Sequence, residues 1–194
     1  MKRGLLLALL LCSTLLVVAD ERGQSRLERI SRYYSAMGNY SLSFVLRGGA
    51  AEQRGELMVE GNNSYMRVAD TEIYVLDSVR YEVRKTAKEV VVDRADAYEK
   101  ELLNPLSGFS SVAADYEIEE KIVDGRVVVL LTPKKRGEVV TIVTAIDGES
   151  ISKVQYGAGD SRVEIDVERC RKGTNTLPKF AKEEYKGFEF IDFR

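Results

Sequence analysis

The chain has 194 residues, 29 lysines and arginines against 31 aspartates and glutamates, no histidine, no tryptophan and two cysteines. Its near-balanced, slightly acidic charge argues against nucleic acid as a partner, because that recognition needs concentrated positive charge. Without histidine it lacks the side chain best suited to acid–base work near neutral pH and the commonest nitrogen ligand for metals. Neither an enzyme, a metal site nor a bound cofactor is expected.

Met1 to Ala19 has the three parts of a secretory signal: Lys2 and Arg3, an apolar run from Leu5 to Val18, and a small-residue site at Val17-Val18-Ala19. The run falls short of the roughly 20 residues that cross a bilayer. Leu9-Leu10-Leu11 precede Cys12, where a lipid-modified N-terminus would need a small residue. Residues 1–19 therefore read as a cleaved signal peptide and 20–194 as one exported domain. Cleavage leaves Cys170 as the single cysteine, so no internal disulfide is expected and the core alone must hold the fold.

The first mature element is a helix. Leu27, Ile30, Tyr34 and Met37 recur at helical spacing among Arg26, Glu28, Arg29 and Arg32, and Gly38-Asn39 ends it. Strands follow. Tyr40, Leu42, Phe44 and Leu46 alternate with Ser41 and Ser43, and further strands are expected near Gly55–Glu60, Ser64–Ala69, Thr71–Leu76, Arg80–Lys85 and Lys88–Asp93. Short consecutive strands favour an antiparallel meander. From Ala95 to Phe109 the pattern breaks into a helix-like stretch and Asn104-Pro105, a crossover or a flap whose apolar residues are Leu102, Leu103, Leu106 and Phe109. Hairpins then resume at Glu117–Val123 with Arg126–Thr132 and at Val139–Ile146 with Ile151–Tyr156. Asp124-Gly125 and Asp147-Gly148 supply the expected two-residue turns. Arg162–Arg169 alternates Val163, Ile165 and Val167 with acidic residues, a strand with one wet face.

Little here suits chemistry. Cys170 has only positive charge beside it, in Arg169-Cys170-Arg171-Lys172. Glu117, Glu119 and Glu120 fall near a strand whose alternate residues are Tyr116, Ile118 and Ile122, and read as a solvated face. Gly157-Ala158-Gly159-Asp160 lies between strands and lacks the lysine of a phosphate loop. What remains is apolar surface. The helix contributes Leu27, Ile30 and Tyr34, and the first half of the sheet offers Leu42, Phe44, Leu46, Leu57, Val59, Tyr65, Ile73 and Val75. Plain core packing accounts for any one of them. As a set they outnumber what two short helical covers can fill, and apolar ligand pockets are lined this way.

The fold expected is mainly β: an incomplete antiparallel β-barrel, strongly curved, with an N-terminal helix and a short helical lid over an apolar cavity. Phe44 is expected to face that cavity as a wall residue that tolerates Phe44→Glu at reduced stability.

Several short patterns resemble the periplasmic outer-membrane lipoprotein carrier family (LolA-like). They are Gly55-Glu56-Leu57-Met58-Val59, Gly61-Asn62-Asn63-Ser64-Tyr65, Asp77-Ser78-Val79-Arg80-Tyr81 at a family hairpin turn, Asn104-Pro105-Leu106, and the ending from Phe180 through Tyr185-Lys186-Gly187-Phe188 to Asp192. The resemblance implies a monomeric periplasmic carrier that shields lipoprotein acyl chains between the inner and outer membranes. Its implied partners are acylated lipoproteins, an inner-membrane lipoprotein-releasing ABC transporter and an outer-membrane acceptor. Gly61-Asn62 stand where many members carry Arg-Pro, the pair that latches the family's lid. A lipid- or lipoprotein-sensing regulatory module on the same scaffold is the alternative.

Overall fold

The expected helix forms over residues 25–37 (α1), because Leu27, Ile30 and Tyr34 share one face and are at most 1 % exposed, while Glu28, Arg29 and Arg32 stay in water. Gly38 closes it with φ +71°, its N–H donating to the Ser35 carbonyl at 3.1 Å. The computed structural model describes residues 25–48, 51–95, 114–157, 159, 162–173 and 176–194. The expected signal peptide and the expected lid residues Leu102, Leu103, Leu106 and Phe109 lie outside the described residues.

A meander follows α1: β1 (Tyr40–Gly48), β2 (Ala51–Glu60), β3 (Asn63–Val68), β4 (Thr71–Leu76), β5 (Val79–Arg84) and β6 (Glu89–Arg94). A second comprises β7 (Tyr116–Val123), β8 (Arg126–Pro133), β9 (Val140–Thr144), β10 (Ile151–Tyr156) and β11 (Val163–Lys172), and β12 (Glu189–Asp192) ends the chain. Pairing of β1 with β11 joins the meanders into one strongly curved 12-stranded sheet, ordered β12-β6-β5-β4-β3-β2-β1-β11-β10-β9-β8-β7. β12 runs parallel to β6 and all other neighbours are antiparallel. β12 and β7 are the two edges, so the barrel stays open. This is the incomplete barrel expected, with one strand more: sequence pattern alone did not announce β12.

Turn chemistry behaves as expected at Asp124-Gly125, where both residues take positive φ and the β7–β8 hairpin closes in two residues. Asp77-Ser78 does the same, with Ser78 at φ +78° in the place that favours glycine. Asp147-Gly148 does not. Asp147 accepts from the Glu149 and Ser150 amides at 2.8 and 2.9 Å and from Ser150 Oγ at 2.6 Å, organising a wider loop over 145–150.

The inner face is covered by α1, and part of the outer face by the C-terminal segment. On the inner face α1 packs with Tyr40, Phe44, Leu57, Val59, Tyr116, Ile118, Val129, Leu131, Val140 and Ile142. On the outer face of β3–β6 the C-terminal segment lays Leu177, Phe180, Tyr185, Phe188 and Phe190 over Tyr65, Tyr74, Tyr81, Val83, Val90 and Val92. Phe180 stacks on Tyr81 at 4.1 Å and on Tyr185 at 5.4 Å. Tyr185 sits in a 3₁₀ turn, Lys182–Tyr185, and its hydroxyl reaches the buried carboxylate of Glu72 at 3.1 Å. That carboxylate also accepts from Tyr65 at 3.1 Å, Tyr74 at 3.3 Å and Lys85 at 2.7 Å. A buried charge persists only when paired and hydrogen-bonded in this way.

Burial pushes the Glu72 carboxyl up. The hydrogen bond from Lys85, the bond from Tyr65, the Lys85 charge and the bond from Tyr185 outweigh burial and hold it below its usual 4.5. A group depressed on folding stabilises above its unfolded value and loses that contribution as pH falls through the folded value. Denaturant titrations should therefore show stability holding down to about pH 5 and falling below it. Glu72→Gln should be less stable at pH 7 and have a shallower acid limb. Parallel acid limbs would remove Glu72 from the C-terminal clamp.

Candidate functional site

Strand register decides what faces α1. Leu42 pairs with Leu57, Leu57 with Met66, and Met66 with Ile73, so these side chains lie in one row on the inner face. The row ends there. Ile73 pairs with Glu82 and Val75 with Arg80, and the inner face of β5 becomes an ion-pair ladder in which Glu82 holds Arg80, and Arg84 at 2.7 Å. An apolar cleft of about 50 Å³ remains between α1 and the sheet, lined by Tyr34, Leu42, Phe44, Leu57, Met66, Ile151, Val154, Tyr156, Ile165 and Val167. Pockets that hold small ligands measure roughly 300–1,000 Å³. The expectation of a concave face with little to fill it is thus corrected: α1 and the large wall side chains occupy most of it.

α1 itself is held by polar contacts along its length. Near its start, Arg26 Nε pairs with Glu120 at 3.2 Å and Nη1 donates to the Gly148 carbonyl at 2.8 Å. Midway, Tyr34 accepts a hydrogen bond from the Ile151 amide at 3.0 Å. At its end Lys172 Nζ donates to the Ala36 carbonyl at 3.3 Å.

Of the expected cavity residues, Leu27, Ile30, Tyr34, Leu42, Phe44, Leu46, Leu57 and Val59 belong to the inner cluster. Ile73 and Val75 share that face but stand at its charged border, outside the cleft. Tyr65 is a correction: it pairs with Met58 and Tyr74 and packs into the outer cluster, its hydroxyl on Glu72. Its neighbour Met66 takes the inner place. Val154, Tyr156, Ile165 and Val167 also line the cleft without having been singled out for it. The alternation of Val163, Ile165 and Val167 was the signal available for β11.

Phe44 faces the cleft as expected but is not a free wall residue. It is 5 % exposed, and its ring lies so close to Gly55 that a Cβ there would stand 2.3 Å from Phe44 Cζ. Phe44→Glu therefore carries the cost of a packed core residue, about 3–5 kcal/mol. The half-buried wall is supplied by Leu42, Met66, Val154 and Val167.

The titratable groups beside the cleft are held neutral. Burial pushes the Tyr34 and Tyr40 hydroxyls far above the usual tyrosine value and Tyr156 up to about 12. Burial also raises the Cys170 thiol, which makes it a weaker nucleophile. Such a lining can bind apolar groups and offers no poised acid or base.

No family model matches the chain, and no curated protein matches it in sequence. Solved structures match in fold. An uncharacterized conserved protein from Thermus thermophilus aligns over 88 % of this chain and 98 % of its own at 8 % identity, TM-score 0.58. A chain of the Pseudomonas aeruginosa MucA/MucB complex aligns over 86 % of this chain and 61 % of its own at 16 % identity, TM-score 0.48. LprF from Mycobacterium bovis aligns over 83 % of this chain and 98 % of its own at 14 % identity, TM-score 0.43. At these identities the likeness is one of fold.

The contact of Phe44 with Gly55 gives a direct test of the inner packing. Gly55→Ala should cost roughly 1–3 kcal/mol, because the added methyl must push the ring aside. In a Phe44→Leu background the same change should cost less, with a coupling of about 1 kcal/mol in a double-mutant cycle. Simple additivity would mean that ring and glycine are not interlocked.

Proposed function

We propose that this chain is a periplasmic carrier that takes up lipoprotein acyl chains in the cleft beneath α1, with α1 as the element that gives way. The observation that carries this reading is the cleft itself: a wall of half-buried apolar side chains against a helix whose buried stripe is Leu27, Ile30 and Tyr34. The resemblance in sequence to lipoprotein carriers points the same way. The implied partners, an inner-membrane ABC transporter that loads the chain and an outer-membrane acceptor that unloads it, belong to this proposal. So does the reading of the protein as a binder and not an enzyme.

Magnitudes support a reversible exchange. Ten methylenes leaving water contribute about 8 kcal/mol. Lifting Leu27 and Ile30 off the sheet costs roughly 3–6 kcal/mol, and Tyr34 adds its ring and its hydrogen bond. For ten methylenes gain and cost are of one size, so net binding comes from the methylenes beyond them, and a cargo held by that surplus alone can be handed on. A lipid-sensing regulatory module would use the same cleft, but it would retain its ligand and not pass it to acceptor vesicles.

Titration with a neutral fluorescent acyl probe tests the uptake. The native chain should bind it, Val167→Asp should fold and bind at least tenfold more weakly, and triacylated lipoprotein should compete. Arg26→Ala removes the anchor at the start of α1, so it should lower stability by roughly 1–2 kcal/mol and yet raise probe affinity. Absence of probe uptake by the native chain would contradict the proposal. Affinity falling in step with stability in Arg26→Ala would contradict the role given to α1.

A further inference from the structure

Beside the cleft a groove of about 620 Å³ runs between the second half of α1 and the end of β11. Its floor is apolar. Tyr33, Met37 and Cys170 line it, each packed on the inner cluster, and Cys170 Sγ lies 3.7 Å from Met37 Sδ. The floor continues into the cleft, since Cys170 pairs across strands with Leu42 and the Tyr33 ring stands 5.3 Å from that of Tyr34.

The rim is cationic, formed by Arg29, Arg32 and Lys172. A register shift between β1 and β11 puts Lys172 there. Ser43 pairs with Arg169 but Phe44 pairs with Val167, so Glu168 is the extra residue of a bulge. The bulge changes which residues of β11 face inward, bringing in Cys170 and Lys172 and leaving Arg169 and Arg171 outside.

Two carboxylates are close, and both are engaged. Glu149 stands 3.8 Å from Arg29. Asp147 is tied to its own turn through the Glu149 and Ser150 amides and Ser150 Oγ. Among the described residues Arg32 has no ion-pair partner and Lys172 bonds a carbonyl, so two cations face the apolar floor without a carboxylate. Opposite Lys172 in the sheet, Tyr40 is 2 % exposed and its hydroxyl has no hydrogen-bond partner among the described residues.

We infer that this groove receives the anionic head of a single-chain amphiphile, a carboxylate or a phosphate, against Arg32 and Lys172, with the tail lying over Met37 and Cys170 toward the cleft. The inference rests on the acyl-binding proposal and adds a charge preference to it. It makes the groove the mouth of the cleft, so an entering chain meets the cations before the apolar wall.

Three probes of equal chain length separate the two ideas: laurate, dodecyl phosphate and uncharged dodecanol, each used below its micelle concentration to displace a neutral fluorescent acyl probe. At about 0.05 M salt at least one anion should displace at roughly five- to tenfold lower concentration than dodecanol, and the gap should close near 0.5 M. The anion with the larger gap identifies the head as carboxylate or phosphate. In Arg32→Ser/Lys172→Ser the gap between anion and dodecanol should vanish, while loss of the Lys172 tie to Ala36 shifts all three probes together, and in the native chain the preferred anion should slow maleimide labelling of Cys170. Equal displacement by all three probes, or a gap that survives the double substitution, would overturn the inference and leave the acyl-binding proposal standing. Failure of dodecanol and both anions alike would overturn that proposal as well.

Discussion

A curved sheet with an apolar concave face cannot leave that face in water, and everything else in this molecule follows from how it is covered. Among the described residues one helix does most of the work on the inner side. The stripe of Leu27, Ile30 and Tyr34 is almost wholly buried, and polar ties to α1 include Arg26 to Glu120 and Gly148, Arg29 to Glu149, Tyr34 to the Ile151 amide and Lys172 to Ala36. A cover held mainly by apolar contact can be exchanged for another apolar body of similar size, since the hydrophobic effect is not directional. That is why a cleft of about 50 Å³ and an acyl-binding role are compatible.

The remainder of the sheet is covered without α1. On the outer face of β3–β6 the C-terminal segment stacks Phe180 and Tyr185 over the tyrosines of the strands and hangs on the Glu72 carboxylate. On the inner face the apolar row stops at Ile73, and the ladder of Arg80, Glu82 and Arg84 begins. A chain sliding along the cleft would meet charge at β5, whereas at the other side it meets the groove formed by Met37 and Cys170. The two borders of the apolar face are thus set by register and by one bulge.

The helix and the hairpins were legible in the sequence because each has a single wet face. Leu27, Ile30 and Tyr34 could only form one stripe, and Leu42, Phe44 and Leu46 could only share one side of β1. Legibility failed where both faces are dry. In β3, Tyr65 and Met66 are adjacent large side chains, and the outer C-terminal cover with the Glu72 carboxylate decides that the tyrosine turns away from the cleft. Val90 and Val92 pose the same ambiguity in β6, with Val91 between them. β12 was invisible for another reason: a four-residue strand pairing in parallel with a distant one leaves no periodic trace. The bulge at Glu168 also has no local signature, yet it fixes whether arginine or cysteine and lysine face the helix.

Hydrogen exchange along the chain, with and without a saturating acyl ligand, tests most directly whether α1 occupies the place a ligand takes. The account predicts that amides in β1, β10 and β11 become slower on binding while those over residues 25–37 become faster, because the ligand covers the wall and α1 is released from it. Slowing in α1 together with the sheet would contradict it, since the helix would then be clamping the ligand and not giving way to it.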